Sequence, residues 1–145
     1  MTHQEAIQTI AHARDLGLSG AAFVVKLGPG KVAAACNGIG PEWLPEKYRA
    51  KLDKWLAKFK TAADVHDCRF AFDNDGTDAK FRAANDELER NNVIIADSRH
   101  AWWNPLRYWE RSEGRLMADV CRRFGWSAWR DAYKRFPAGA GNAGG

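Results

Sequence analysis

The chain is poor in cysteine, in long apolar runs and in glycine-rich fingerprints, and each shortage removes a class of protein. Its three cysteines, Cys36, Cys68 and Cys121, are irregularly spaced and form no CxxC. Neither a disulfide scaffold nor a cysteine-based zinc site is indicated, and buried thiols in a reducing compartment are expected. No stretch approaches the roughly 20 apolar residues that cross a bilayer, and no basic segment followed by an apolar run lies near the start. The expectation is a cytoplasmic product that meets lipid only after lysis, in a virion or through a dedicated secretion route. A P-loop, a dinucleotide fingerprint, HExxH, GxSxG and internal repeats are all missing.

What is present describes a folded protein. With 145 residues, 46% of them hydrophobic and seven tryptophans, the chain is long enough to bury a core as one domain. That domain is expected over residues 1–136, with a core at 41–92, followed by the Gly/Ala-rich segment 137–145 as a flexible tail. The net charge of +4 is unevenly placed: Arg99 to Phe136 holds nine Arg or Lys against four Asp or Glu, and residues 1–98 hold thirteen against fourteen. A basic surface, interleaved with aromatics, is therefore expected in the C-terminal third. Arginine and aromatic side chains together suit nucleic acid, an anionic membrane interface or the plain packing of a helix.

Apolar periodicity points to a mainly α fold. Ala6, Ile7, Ile10, Ala13 and Leu16 recur at helical spacing before Gly17, a natural C-terminal cap. The short apolar runs on either side of Gly28-Pro29-Gly30 suggest a small hairpin, while the alanines of the second suit a helix equally well. From Pro41 to Phe59, Leu44, Tyr48, Leu52, Trp55, Leu56 and Phe59 form an apolar stripe opposite a lysine-rich face, in one helix or two joined at Pro45. Asn91-Asn92 is expected to end or bend a helix, Asn104-Pro105 to break one, and residues 111–123 and 126–136 to form the last two.

The centre of the chain is Thr61 to Asn92. It reads as a helix capped by Thr61, a turn at Asp73-Asn74-Asp75-Gly76 and a second helix. If the two pack antiparallel, about ten residues after His66 reach the turn and about ten more return to its level, which brings Asp86 opposite His66. A histidine held at one ring nitrogen by a carboxylate presents the other to a water proton. Asp67, about 100° further round the helix, faces the same cleft at another angle and suits a hard cation. An ordinary helical pair would also hold a hydrogen-bonded histidine, with Asp67 and Asp86 as surface charges.

His66-Asp67 followed by Phe70, a second helix with Asp86, and the upstream Cys36-Asn37-Gly38-Ile39-Gly40 together resemble the phospholipase A2 superfamily. The likeness is to its small microbial and viral members and to phage-type proteins with a G-P-E-W segment before an HD helix. It implies that His66 activates water, that Asp86 orients it, and that Asp67 binds calcium with carbonyl oxygens of Gly38 and Gly40. The implied activity is calcium-dependent hydrolysis of an sn-2 lipid ester, with phospholipid or an anionic membrane as partner. Ala62, Ala63 and Asp64 stand where secreted members carry cysteines before the His-Asp, and Phe70 stands where they carry tyrosine. The alternative is a non-enzymatic phage protein that uses the same helical scaffold to bind a phage protein, a host protein or nucleic acid through its C-terminal third.

Overall fold

A computed structural model describes residues 1–36 and 41–137. Six helices follow one another: α1 (His3–Asp15), α2 (Ala21–Ala35), α3 (Glu46–Phe72), α4 (Asp78–Arg99), α5 (Pro105–Phe124) and α6 (Trp126–Arg135), with a 3-10 turn at Pro41–Trp43. The mainly helical class follows from the apolar spacing, and no strand occurs among the described residues. Thr2 opens α1 with a reciprocal cap: its Oγ1 accepts from Glu5 N at 3.2 Å, and Glu5 Oε2 accepts from Thr2 N at 2.6 Å. The α1 end turns through Gly17 at φ +65, as its position after the last apolar residue predicts.

Three local expectations are corrected. The segment around Gly28-Pro29 is helical rather than a hairpin: Gly28 takes φ 77, ψ 165 and absorbs the break, and the alanines beyond Pro29 re-form the helix. Thr61 does not cap a new helix: α3 kinks two residues earlier, at Phe59 (φ -111, ψ 19), where the apolar stripe ends, and Thr61 already lies within the helical turn that follows. Its buried hydroxyl instead contacts His12 Nδ1 of α1 at 2.8 Å. Asn91 and Asn92 do not end α4; they spend their amides across the core, Asn91 on both backbone groups of Ser19 and Asn92 on Gly114 O at 2.9 Å.

The antiparallel pair forms as the sequence suggests. Its turn is closed by Asn74, whose Oδ1 accepts from Gly76 N and whose Nδ2 donates to Trp129 O at 2.7 Å, and α4 then starts at the cap Thr77. Around the pair lie two apolar groups. One is centred on Trp55, Phe59, Val65 and Leu88; the other joins Phe70 and Phe81 of the pair to Trp129 of α6. Phe70 meets the edge of Trp129 at 4.9 Å between centroids, so aromatic packing fixes one end of α3.

Helices α4 and α5 approach closely where α5 has Gly114. A Cβ built there would lie 2.6 Å from Asn92 Cβ. Helix propensity favours alanine over glycine by about 1 kcal/mol, and overpacking a filled core costs about 1–3 kcal/mol. Gly114→Ala is therefore expected to lower stability in urea unfolding. An unchanged or higher midpoint would mean that α4 and α5 are not in this contact.

Candidate functional site

His66 lies on α3 with its side chain buried. Its Nε2 is 3.0 Å from Asn85 Oδ1 of α4, and Asn85 Nδ2 donates to Phe81 O at 2.9 Å. The second bond fixes the amide orientation, so Asn85 offers an acceptor and His66 must carry its proton on Nε2. The Nδ1 lone pair is left on the other side, 4.0 Å from Asp67 Oδ1. Burial pushes the His66 pKa down to about 4, against the opposing pull of the Asn85 bond and the charge of Glu87. At neutral pH the ring is an uncharged acceptor with a fixed tautomer.

The partner named from the sequence is corrected here. Asp86 does not face His66; it is on the exposed side of α4, where Arg122 Nη2 binds it at 2.8 Å and also reaches Glu89 at 2.6 Å. The reason is one residue of register. The five-residue turn 73–77 brings position 85 to the level of His66, and each residue swings a side chain about 100° round the helix. The role of holding the imidazole therefore falls to Asn85, which orients it without supplying a negative charge.

A cavity of about 330 Å³ begins at His66. Trp43, Leu44, Leu52, Trp55, Leu56 and Met117 give it an apolar wall, and Lys60, Asp64, His66 and Asp67 gather at one polar end. Its volume is at the lower end for small-molecule sites, and one polar corner on an apolar wall is the usual composition of such sites. Lys60 and Asp67 are exposed, so the polar end is the open one.

Within that corner the two carboxylates differ. Asp64 is committed: Lys60 Nζ lies 2.7 Å and 3.0 Å from its two oxygens, and Thr9 Oγ1 donates to it at 3.0 Å. Asp67 has no such partner among the described residues, and 51% of its side chain is open. Desolvation, reinforced by Asp64 and opposed by Lys60, raises its pKa toward about 7, and the open half of the side chain limits that shift. The histidine stays neutral at pH 7, and the carboxyl is raised from its ordinary range in the direction of neutrality. A group of that pKa can either accept or donate a proton at working pH.

Calcium fits the described residues poorly. The ion takes six to eight oxygens, and here Asp67 alone offers an uncommitted carboxylate. No cluster of three or more His, Cys, Asp or Glu able to hold a metal occurs among the described residues. The other expected ligands, Gly38 and Gly40, lie outside the described residues. Cys36 and Cys121 also line the cavity but remain thiols: a bond to Cys68 and burial push Cys36 far up, and burial pushes Cys121 up to about 12.

Sequence reasoning missed Asn85 and the Lys60–Asp64 pair, and it read Leu44, Leu52, Trp55 and Leu56 as core stripe rather than as a cavity wall. Asn85 lies in the same helical face as Phe81 and Leu88, and Lys60–Asp64 has the i, i+4 spacing of a helical ion pair. No family model, curated protein or solved structure matches the chain.

Proposed function

We propose that the protein is a lipid acyl hydrolase of phospholipase A2 type, seating an acyl chain in the cavity with its sn-2 ester at the polar end. The observation that carries this reading is the free Nδ1 of a tautomer-fixed His66 at the mouth of an apolar cavity. Water attacks the ester carbonyl while His66 Nδ1 takes its proton. The carbon–oxygen bond to the alcohol then breaks, and the leaving alkoxide recovers that proton from His66. Protonated Asp67 donates a hydrogen bond to the oxyanion in between, a role open to a carboxyl with a pKa of about 7. No step passes through calcium.

The test is release of fatty acid from a medium-chain phosphatidylcholine, with calcium and with chelator. Wild-type release should fall on the order of a hundredfold in His66→Ala, the lower range for loss of a general base. It should also decline above pH 7, as Asp67 loses the proton it donates. Activity that needs calcium and rises through pH 7 would overturn the Asp67 role and point to ligands in residues 37–40.

A second reading is supported by Asn85 itself. A base of pKa about 4 with an uncharged partner is weak, which suits a cavity that holds an acyl chain without cleaving it. Displacement of a fluorescent fatty acid without any hydrolysis would favour this reading. Binding of a protein or nucleic acid through the C-terminal third draws on a different feature, the exposed aromatics at the start of α5.

A further inference from the structure

The α4–α5 connection has its amphipathic order inverted. The inward side of the first turns of α5 is charged: Arg107 and Arg111 reach Asp97 of α4 at 2.8 Å and 2.6 Å, and buried Glu110 lies 3.0 Å from Arg99 and 3.1 Å from His100 as ion-pair contacts without hydrogen-bond geometry. The outward side is apolar: Trp102, Trp103 and Trp109 are 74%, 68% and 63% exposed, beside exposed Leu106 and Tyr108. From Ala101 to Leu106 the tip carries no charged residue. Asn104 and Pro105 start α5 there, and Tyr108 Oη donates to Trp102 O at 3.3 Å, so the tip has a defined shape.

We propose that this tryptophan tip inserts into the interface of a phospholipid bilayer and docks the protein there. Charge selects that occupant. Ala101 to Leu106 hold no charged residue, while Arg107 and Arg111 turn inward to share Asp97 and Arg99 faces Glu110, so the tip itself presents no cation to a nucleic-acid backbone, whose affinity comes mainly from phosphate neutralisation. With Leu106 and Tyr108 the three tryptophans form one exposed apolar patch, of the kind that marks an interaction surface. Tryptophan and tyrosine are the side chains that settle at headgroup level, with an apolar body and a polar edge. An uncharged tip predicts that zwitterionic lipid suffices. The proposal stands apart from the hydrolase reading, since it concerns a different surface.

The experiment is partition of the full chain onto vesicles of ether-linked phosphatidylcholine, which has no sn-2 ester to cleave. Co-sedimentation is compared with the triple variant Trp102→Ser, Trp103→Ser, Trp109→Ser at low and high salt. The expected result is wild-type partition that is insensitive to salt and falls more than tenfold in the variant, with an unchanged thermal midpoint. Absence of wild-type partition, equal partition of the variant, or partition only onto anionic vesicles at low salt would each overturn it. So would a wild-type dimer in sedimentation, or binding of single-stranded DNA, that the triple variant loses while vesicle partition persists.

Discussion

Asn85→Asp is expected to raise the His66 pKa from about 4 to above its ordinary 6.5 and to increase ester hydrolysis on the order of tenfold. In the native site the ring is desolvated, and its Nε2 proton meets a neutral amide oxygen at 3.0 Å. A carboxylate in the same place favours the imidazolium by Coulomb attraction, which shifts a neighbouring group by roughly 1–3 units, and more when both are buried. The base then has a pKa near working pH, where proton transfer is most effective. The check is the pH titration of the His66 ring by NMR, assigned with His66→Ala.

Stability should respond with opposite signs in the two proteins. In the wild type the folded pKa is below the unfolded one, so the unfolded chain binds the extra proton between about pH 6.5 and pH 4 and stability is lost as pH falls through that window. The full depression corresponds to roughly 3 kcal/mol at 1.36 kcal/mol per unit. In Asn85→Asp the folded pKa lies above the unfolded one. Its contribution is complete below pH 6.5 and is lost as pH rises through the folded value, where a buried carboxylate faces a neutral ring. A wild-type His66 signal that titrates at 6.5, or a variant signal that does not move, would refute the desolvated pair. Asn85→Ala separates charge from orientation, since it frees the tautomer without adding a carboxylate.

How much of this was legible follows from what each residue reports. Helix existence was readable, because an apolar stripe repeats every three to four residues and the caps Thr2, Thr77 and Asn104 are of the right type. The pairing of two helices about His66 was readable from the turn cluster. The residue that touches His66 was not, since a helix converts an uncertainty of one residue in turn length into about 100° of direction. Asn91 and Asn92 look like helix enders because asparagine often binds its own backbone, and here distant backbone groups won that competition. The aromatic tip shows a different limit. Tryptophan is expected partly buried or at an interface, and the sequence does not reveal that Asp97 and Glu110 draw the arginines inward and turn the tryptophans out.

Glu87→Ala is expected to cost about 3–5 kcal/mol, the range for removing one partner of a buried ion pair. Glu87 is 7% exposed and binds Arg69 with both oxygens, at 3.0 Å to Nε and 3.1 Å to Nη2. Ser19 Oγ donates to the same carboxylate at 2.9 Å, so one side chain joins the α1–α2 turn, α3 and α4. The guanidinium also lies over the Phe23 ring at 4.1 Å, which holds it inward when its partner is gone. Asp73, at 3.0 Å, remains as a partial substitute and sets the lower end of the range. Glu87→Gln keeps an acceptor for Arg69 and for Ser19 and should cost less than half as much. In the double variant Arg69→Met, Glu87→Leu, apolar groups replace both charges, and much of the loss should return. Urea unfolding of the three proteins measures all of this. A Glu87→Ala cost below 1 kcal/mol would show the pair to be solvated. The same experiment also reads the site, because the charge of Glu87 raises the His66 pKa: without it the ring should be still harder to protonate in Glu87→Ala, and its NMR titration should move further down from about 4.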